Sequence, residues 1–245
     1  SKDRVEPKCP VARQCGGCQI QEMRYEAQLA FKQKMVQNNL ERIGGLSDFE
    51  MYPVIGMETP YAYRNKAQFP VGEDKDGNIV IGFYAGRTHH IVEQTDCCIG
   101  APENGEVLRK VRAYMQKNQI RPYNEEHHSG IVRHILIRTG YHTKEIMVCL
   151  IVNAAKASCL KNAQQLTESL REMDGMTSVM VNFNTEKTNV ILGKKSEVLW
   201  GQPYIEDFIG DVKYQISPQS FFQVNPMQTE KLYAKALEYA GLTGN

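Results

Sequence analysis

Three cysteines near the start of the chain limit how it can fold. Residues 8–21 read KCPVARQCGGCQIQ, so Cys9, Cys15 and Cys18 follow the spacing C-x5-C-x2-C. Thiols this dense are chemically costly unless something binds them. A complete set of four sulfur ligands needs one more member, and Cys97 or Cys98 in EQTDCCIG is the obvious donor. The fold is therefore expected to bring this second segment back to the N-terminal run.

The spacing leaves the bound group open. Four cysteines suit either a structural zinc ion or an iron–sulfur cluster. Zinc sites of this kind usually contain two C-x2-C knuckles, whereas this chain has one. Gly16 and Gly17 let backbone N–H groups approach the sulfurs, which would stabilise their negative charge.

The rest of the composition excludes several classes of protein. The first residues, SKDRVEPKCP, lack the apolar centre of a secretory signal, and no apolar stretch approaches the roughly 18 residues of a membrane span. We expect a cytoplasmic protein without a membrane partner, whose thiols stay reduced rather than forming a disulfide framework. The formal net charge of the 245 residues is +1, so nucleic-acid binding would need a local basic face.

Short alternating or β-branched segments predominate and predict an α+β fold with largely antiparallel sheets and a few packed helices. Helices are expected over the ranges 20–43, 102–118, about 160–173, and 226 to about 239. Strands are expected at 51–57, in the three segments YRNKAQFPVG, NIVIGFYAG and HHIVEQTDC, and at 131–139, 144–153, 177–184, 188–193, 197–200, 203–209 and 212–216. Segments 177–184 and 188–193 are expected to form a hairpin. The apolar run MVCLIV, which contains Cys149, predicts a buried strand.

The last helix has clear start signals. Asn225 precedes Pro226, and Gln228 stands three residues after the expected N-cap, as in a capping box.

Several side chains are candidates for contact with a ligand. Arg64 and Lys66 lie two residues apart, hence on one face of a strand, where they could meet phosphates or simply be the solvated charges of an edge strand. Arg133 and Arg138 flank the apolar HILI, where charges often mark a buried strand's emergence into water. The sequence shows no Gly-rich nucleotide-binding loop, Ser-His-Asp triad or paired carboxylates.

The ordered motifs resemble a known family. CP-x4-CGGCQIQ, YRNKAQFPVG, GFYAGRTHHIVEQTDC, SGIVRHILIRTG, MVNFNTEKTNVILG and ISPQSFFQVNPMQTEKLY occur in this order over nearly the whole chain. Together they resemble the RNA uracil-5-methyltransferases, which use S-adenosylmethionine to make 5-methyluridine in ribosomal or transfer RNA. The resemblance implies an RNA partner, with 23S rRNA expected rather than tRNA.

The resemblance also implies roles for individual residues. Cys9, Cys15, Cys18 and Cys97 would bind a [4Fe–4S] cluster, with Cys97 preferred over Cys98 because it follows IVEQTD. Phe221 would stack near a flipped base and Gln223 would touch S-adenosylmethionine. Arg64, Lys66, Arg133 and Arg138 would contact RNA. In an extended FFQVN segment only one of the two phenylalanines can face the site, and Gln223 falls on the side of Phe221.

The resemblance further implies that the chain is a fragment. Residues 1–100 are expected to form a cluster-binding region with an N-terminal helix and β-hairpins. Residues 101–216 would form a central α+β RNA-binding domain, and 217–245 a linker and first helix leading into a mostly absent Rossmann-like methyltransferase domain. The nucleophilic cysteine and the general base would lie beyond residue 245, so the chain alone is expected to be an inactive monomer. An N-terminal β-barrel found in many family members is also expected to be missing.

A different class of function remains open from the residues themselves. The same cysteines could hold zinc in a self-contained RNA-binding module without catalysis. Iron and sulfide content would separate the two interpretations.

Overall fold

The computed structural model describes residues 1–242 and is organised around one large sheet. The strands are β1 (Lys66–Glu73), β2 (Ile79–Tyr84), β3 (Ile91–Glu93), β4 (Val132–Thr139), β5 (Ile146–Val152), β6 (Met176–Phe183), β7 (Lys195–Gly201), β8 (Ile205–Ile209) and β9 (Val212–Ile216). The seven strands of the large sheet follow the order β3-β2-β1-β4-β5-β6-β7, and a separate hairpin pairs β8 with β9. The α-helices are α1 (Tyr25–Asn38), α2 (Asn104–Lys117), α3 (Ala163–Arg171) and α4 (Pro226–Ala240).

Strand β5, which contains the apolar run MVCLIV, has no polar face. All its residues are buried, because each face of the strand borders a different core. Val148 and Leu150 belong to the core under α2 and α3, whereas Met147, Cys149 and Ile151 face a second core. Side chains alternate across a sheet, so covering both faces requires apolar residues at every position. The prediction that Cys149 is a buried core residue is confirmed.

The second core brings the C-terminal third of the chain onto the sheet. Ile205 of β8, Ile216 of β9 and Phe222 are buried in it. The sheet is therefore covered by helices on one side and by the β8–β9 hairpin with its following loop on the other.

The topology agrees with a largely antiparallel α+β fold. Neighbouring strands pair antiparallel except β5 and β6, which are parallel and are joined by a connection containing α3. Parallel pairing needs such a crossover because a tight turn reverses chain direction.

The helix predictions are confirmed with shifted boundaries. α1 begins at Tyr25 rather than at residue 20, and a π-helical turn follows it at Asn39–Ile43. α4 begins with the expected cap, since the Gln228 backbone N donates to Asn225 Oδ1 at 3.2 Å. The Gln228 side chain does not close a capping box, however: its Nε2 donates to the carbonyl oxygen of Ile55 at 2.9 Å.

Two strand predictions are wrong. Residues 51–57 and 188–193 are irregular, and β6 pairs with β7 instead of with 188–193. The Asn184 side chain donates to the carbonyl oxygens of Val190 and Ile191 at 2.6 and 2.9 Å. These bonds satisfy the backbone of the loop, so the loop needs no ladder partner.

Two further points concern the organisation of the chain. The expected boundary at residues 100 and 101 lies between β3 and α2, and strands from both sides of it belong to one sheet. None of the helices within residues 1–242 has the length and apolar character needed to cross a membrane.

Candidate functional site

Five thiols line one cavity of about 230 Å³. They are the three cysteines of the N-terminal run and the neighbouring pair that follows β3: Cys9, Cys15, Cys18, Cys97 and Cys98. The expected return of the second segment to the first is therefore present. Cys98, the alternative fourth donor, lines the same cavity as the preferred Cys97.

The cavity forms where the N-terminal run docks on the end of β2. Cys15 forms an antiparallel bridge with Ala85, and the Gly16 backbone N donates to the carbonyl oxygen of Tyr84 at 2.9 Å. A Cβ added to Gly16 would lie 3.1 Å from Gly86 and from the Tyr84 carbonyl oxygen, so only glycine fits without displacement. The strand β3, paired with β2, then carries the chain toward Cys97.

Two glutamines that the motifs did not single out connect the two halves of the cysteine site. Gln21 Oε1 accepts from the Cys9 backbone N at 3.0 Å, and Gln21 Nε2 donates to Cys98 Sγ at 3.5 Å. Gln94 Nε2 donates to Cys9 Sγ at 3.6 Å, and the Gly17 backbone N donates to Cys15 Sγ at 3.4 Å. N–H groups directed at sulfur stabilise thiolates and sulfur-bound metals.

Three of the thiols, those of Cys15, Cys18 and Cys98, hold their protons more tightly than free cysteine does, because burial raises their pKa. Burial raises the pKa of Cys18 to about 11, and the charges of Cys97, Cys98, Cys15 and Cys9 raise it further. A group that binds these sulfurs as thiolates must therefore displace protons.

No set of three or more His, Cys, Asp or Glu side chains within residues 1–242 converges closely enough to hold a single metal ion. The five thiols instead line the wall of the cavity.

Arg64, two residues before β1, lies beside this cavity, and Lys66 is the first residue of the strand. The Arg64 backbone N donates to the Ile99 carbonyl oxygen at 2.9 Å, and its side chain lines the cysteine cavity. Lys66 is half-buried, and burial lowers its pKa, with the charges of Arg138 and Arg64 adding to the effect. Lys66 pairs with Arg138 of β4, whereas β2 pairs only with the far end of β1, from Val71 to Glu73, and Arg64 is exposed.

Arg138 is buried and positions a loop. Its Nη2 donates to the carbonyl oxygens of Pro218, at 3.3 Å, and of Ser220. Burial lowers the pKa of the Arg138 guanidinium to about 10. The neighbouring Ser217 and Ser220 hydroxyls are 2.9 Å apart and close the turn.

Arg133 occupies the opposite end of β4 and has an analogous role there. It donates to the carbonyl oxygens of Asn184, Glu186 and Thr188 at 2.8, 2.7 and 3.3 Å, and its guanidinium lies 4.5 Å from the centre of the Tyr123 ring. In this structure both arginines bind backbone carbonyls, and their contact with RNA stays a prediction. The positions of Arg133 and Arg138 at the two ends of a buried strand could not tell us, from the sequence, whether they bind loops or RNA.

The loop held by Arg138 presents one aromatic ring to solvent. Phe221 is 86% exposed, whereas Phe222 is 7% exposed and packs at 5.5 Å, ring centre to ring centre, on Tyr214. Asn65 fixes the next residues, since its side chain donates to the Gln223 carbonyl oxygen and its backbone N to that of Val224, each at 3.0 Å. Alternation of the two phenylalanines agrees with the expectation for an extended segment.

The fold therefore gathers most of the predicted residues at one end of β1 and β4. Arg64, Lys66, Arg138, Phe221 and Gln223 are connected there through Asn65 and the β1–β4 register, in which Lys66 pairs with Arg138. Arg133 is not part of this group.

Comparison with known proteins extends over the whole chain. No family model matches. A protein of Halalkalibacterium halodurans called an uncharacterized RNA methyltransferase is 48% identical over 246 residues, which cover 100% of this chain and 53% of that protein. A Clostridium tetani protein with the same description is 46% identical and covers 100% of this chain and 52% of its own length. The chain thus spans about half the length of the curated relatives it matches.

A solved structure also matches. The crystal structure of Pyrococcus abyssi tRNA (uracil-54, C5)-methyltransferase in complex with S-adenosyl-L-homocysteine superposes with a TM-score of 0.74 at 27% identity. The match covers 97% of this chain and 52% of that one. Nearly the whole of this chain is therefore similar, in sequence and in fold, to a segment that makes up about half the length of each of these proteins, which are described as RNA methyltransferases.

Proposed function

We propose that this chain is the RNA-binding, cysteine-site part of an S-adenosylmethionine-dependent RNA methyltransferase that forms 5-methyluridine. The observation that carries the proposal is the match to the Pyrococcus abyssi enzyme over 97% of this chain. The names of the curated relatives support the coarser statement, methyl transfer to RNA. The solved neighbour acts on tRNA, which does not favour the expected 23S rRNA, so both RNAs belong in the test.

The end of β1 and β4 that carries the exposed Phe221 ring suits capture of a flipped uridine. Extruding a base costs a few kcal/mol of stacking, which an aromatic platform such as Phe221 can offset. Arg64 and Lys66 are placed to meet the adjacent phosphates, and Gln223 to contact the methyl donor. Arg138 acts indirectly, because it holds the Ser220 carbonyl immediately before Phe221.

The chemistry requires a nucleophile, which we place outside these 245 residues. C5 of uracil becomes nucleophilic once a cysteine thiolate adds to C6; the resulting enolate takes the methyl group, a base removes the C5 proton and the thiolate leaves. Cys149 is fully buried, Cys159 packs against the core under α2 and α3, and the other five cysteines line the cavity. The proposal therefore assigns the nucleophile and the base to residues other than these 245, and the isolated chain should bind RNA without methylating it.

We further propose that Cys9, Cys15, Cys18 and Cys97 hold a [4Fe–4S] cluster. The donors are all sulfur, they surround a cavity of about 230 Å³, and amide N–H groups point at two of the sulfurs. A cluster is several atoms wide, so its ligands need not converge as those of one ion do. Four cysteine ligands leave no open iron, which favours a structural or redox-sensing contribution over a catalytic one.

The test of the cysteine site is metal analysis of anaerobically purified protein. About four irons and four acid-labile sulfides per chain are expected. They should be lost in Cys97→Ser and retained in Cys98→Ser. The expectation is also that Cys18→Ser lowers thermal stability; full stability without iron would disprove a structural role. One zinc without sulfide would instead favour a zinc-stabilised RNA-binding module.

The test of methyl transfer uses the natural protein that carries these residues. It is incubated with radiolabelled S-adenosylmethionine and either tRNA or 23S rRNA, and modified nucleosides are identified by mass spectrometry. 5-Methyluridine in either RNA, reduced strongly in Phe221→Ala, is the expected result. Methylation of another base, or no transfer to either RNA, would contradict the proposal.

A further inference from the structure

A second cleft of about 360 Å³ adjoins the cysteine cavity and has no role in the function proposed above. It lies between α1, the segment 54–64, the start of α4 and the CGGC turn formed by residues 15–18. Cys18, Gln21 and Arg64 line both spaces. Its volume falls within the range of about 300–1,000 Å³ typical of sites for small molecules.

The lining combines three kinds of side chain. Aromatic rings come from Tyr25, Tyr61 and Tyr63, side-chain amides from several glutamines and Asn225, and positive charge from Lys32 and Arg64. Among the residues that the structure describes, neither Asp nor Glu lines the cleft. Rings, amides and cations without carboxylates are the set that recognises a nucleobase joined to a phosphate.

One polar atom in the wall has no partner. Gln228 Nε2 donates to the Ile55 carbonyl oxygen at 2.9 Å, which fixes the orientation of the amide, because a carbonyl can only accept. The other amide atom, Gln228 Oε1, is buried and accepts no hydrogen bond within residues 1–242. A buried acceptor left unpaired costs about 1–3 kcal/mol, and a small rotation of the Gln228 amide that brings Oε1 to a ligand N–H donor in the cleft would remove that cost.

The walls are held in place before any ligand arrives. The Met57 backbone N donates to the Tyr25 hydroxyl at 2.6 Å, and Asn225 Nδ2 approaches Met57 Sδ at 3.2 Å. A Cβ added to Gly56 would lie 2.7 Å from Leu29 Cδ1, so this segment packs tightly on α1. A preformed cleft binds without the cost of ordering its walls.

The chain runs from the loop that carries Phe221 directly into the wall of the cleft. Asn225, four residues further along the chain, lines it, and Arg64 borders both the cleft and the start of β1. A strand of RNA whose flipped base lies at Phe221 could therefore place a neighbouring nucleotide here.

We propose that this cleft binds one nucleotide, with its base between the tyrosines and Gln228 Oε1 and its phosphate toward Lys32 and Arg64. The inference rests on the proposed function, in which this nucleotide is a neighbour of the methylated uridine. The base carries an N–H donor on its Watson–Crick edge, as uracil and guanine do. A free nucleotide has the same chemistry, so the test separates the two sources.

The experiment compares Lys32→Gln with Lys34→Gln on the 245-residue chain. Both lysines are exposed on α1, but only Lys32 lines the cleft, so neither substitution should disturb folding. Affinity for a fluorescein-labelled uridine heptanucleotide is measured by anisotropy over a range of salt concentrations. Lys32→Gln should weaken binding and reduce the slope of log K against log salt by about 1. Lys34→Gln should change neither.

A second arm examines the base with uridine monophosphate, observed by saturation-transfer NMR. Gln228→Met keeps the side-chain length but removes the acceptor, together with the Nε2 donor to the Ile55 carbonyl oxygen, and should weaken this binding by at least about fivefold, the loss of one hydrogen bond. Inorganic phosphate should compete poorly. Equal behaviour of the two lysine variants, or competition by phosphate as strong as by the nucleotide, would refute the inference.

The outcomes also separate this inference from the proposed function. If Phe221→Ala weakens heptanucleotide binding while Lys32→Gln does not, the proposed function stands and the cleft has no part in RNA binding. If the cleft variants weaken only the mononucleotide, the cleft is a site for free nucleotides and the link to RNA is wrong.

Discussion

The Arg138 guanidinium donates to the carbonyl oxygen of Ser220, the residue that precedes the exposed ring of Phe221. A cation buried at the end of β4 thus sets the position of an aromatic side chain that is distant in sequence. The arrangement makes the geometry of the Phe221 loop depend on the central sheet.

Replacement of Arg138 should release this loop. Arg138→Met removes the donors of the Pro218 and Ser220 carbonyl oxygens, and each buried acceptor left unpaired costs about 1–3 kcal/mol. Removal of a buried charge offsets part of that cost, since burial disfavours the charged form of Arg138. We expect a small net loss of stability together with much faster amide hydrogen exchange over residues 217–222. Arg64→Ala, at an exposed site, is the control; unchanged exchange in Arg138→Met would show that the sheet does not position the loop.

The two adjacent phenylalanines should respond in opposite ways. Phe222 is buried in the second core, so Phe222→Ala should cost about 3–5 kcal/mol in urea unfolding. Phe221→Ala should leave stability within about 0.5 kcal/mol, because the ring is exposed. It should nevertheless weaken RNA binding by about 1–3 kcal/mol, the contribution of one stacked base. RNA affinity that survives Phe221→Ala would remove this ring from the proposed site.

His134 should make the fold sensitive to mild acid. Burial lowers its pKa to about 4, the Arg133 charge lowers it too, and Glu125 opposes both. The unfolded chain takes up this proton near the ordinary pKa of about 6.5, so stability present above that pH is lost as the pH falls toward 4. The loss from this group is at most about 3 kcal/mol.

Urea unfolding between pH 4 and 7 of the wild type and of His134→Gln measures this contribution. The variant should lose less stability on acidification than the wild type, whereas His127→Gln, at an exposed site, should follow the wild type. Parallel curves for all three proteins would assign the acid sensitivity to other groups.

The two glycines of the CGGC turn should differ in tolerance. A Cβ at Gly16 would lie 3.1 Å from backbone atoms of Tyr84 and Gly86, whereas at Gly17 its nearest neighbour would be Cys15 Sγ at 3.4 Å. Gly16→Ala should therefore displace the N-terminal run from β2, at a cost of about 1–3 kcal/mol, and reduce iron retention. Gly17→Ala should behave nearly as the wild type. Thermal unfolding and iron content of the two variants check this, and equal loss in both would contradict the docking of the run on β2.

Features that depend on neighbouring residues could be predicted from the sequence. The seven apolar residues of β5, the cap formed by Asn225 before Pro226, and the alternation of Phe221 and Phe222 follow from periodicity and local hydrogen bonding. The cysteine spacing also indicated, from the need for a fourth sulfur, that a distant segment returns to the N-terminus.

Only the tertiary structure showed where long-range polar contacts form. Arg138 binds a loop about 80 residues away along the chain, Gln228 reaches Ile55, and Asn184 satisfies carbonyls that the sequence suggested would lie in a strand. The same holds for the cleft beside α1. A side chain's periodicity indicates whether it is buried, but its hydrogen-bond partner depends on which distant backbone groups packing leaves unpaired, and those are determined when the sheet and its covering layers come together.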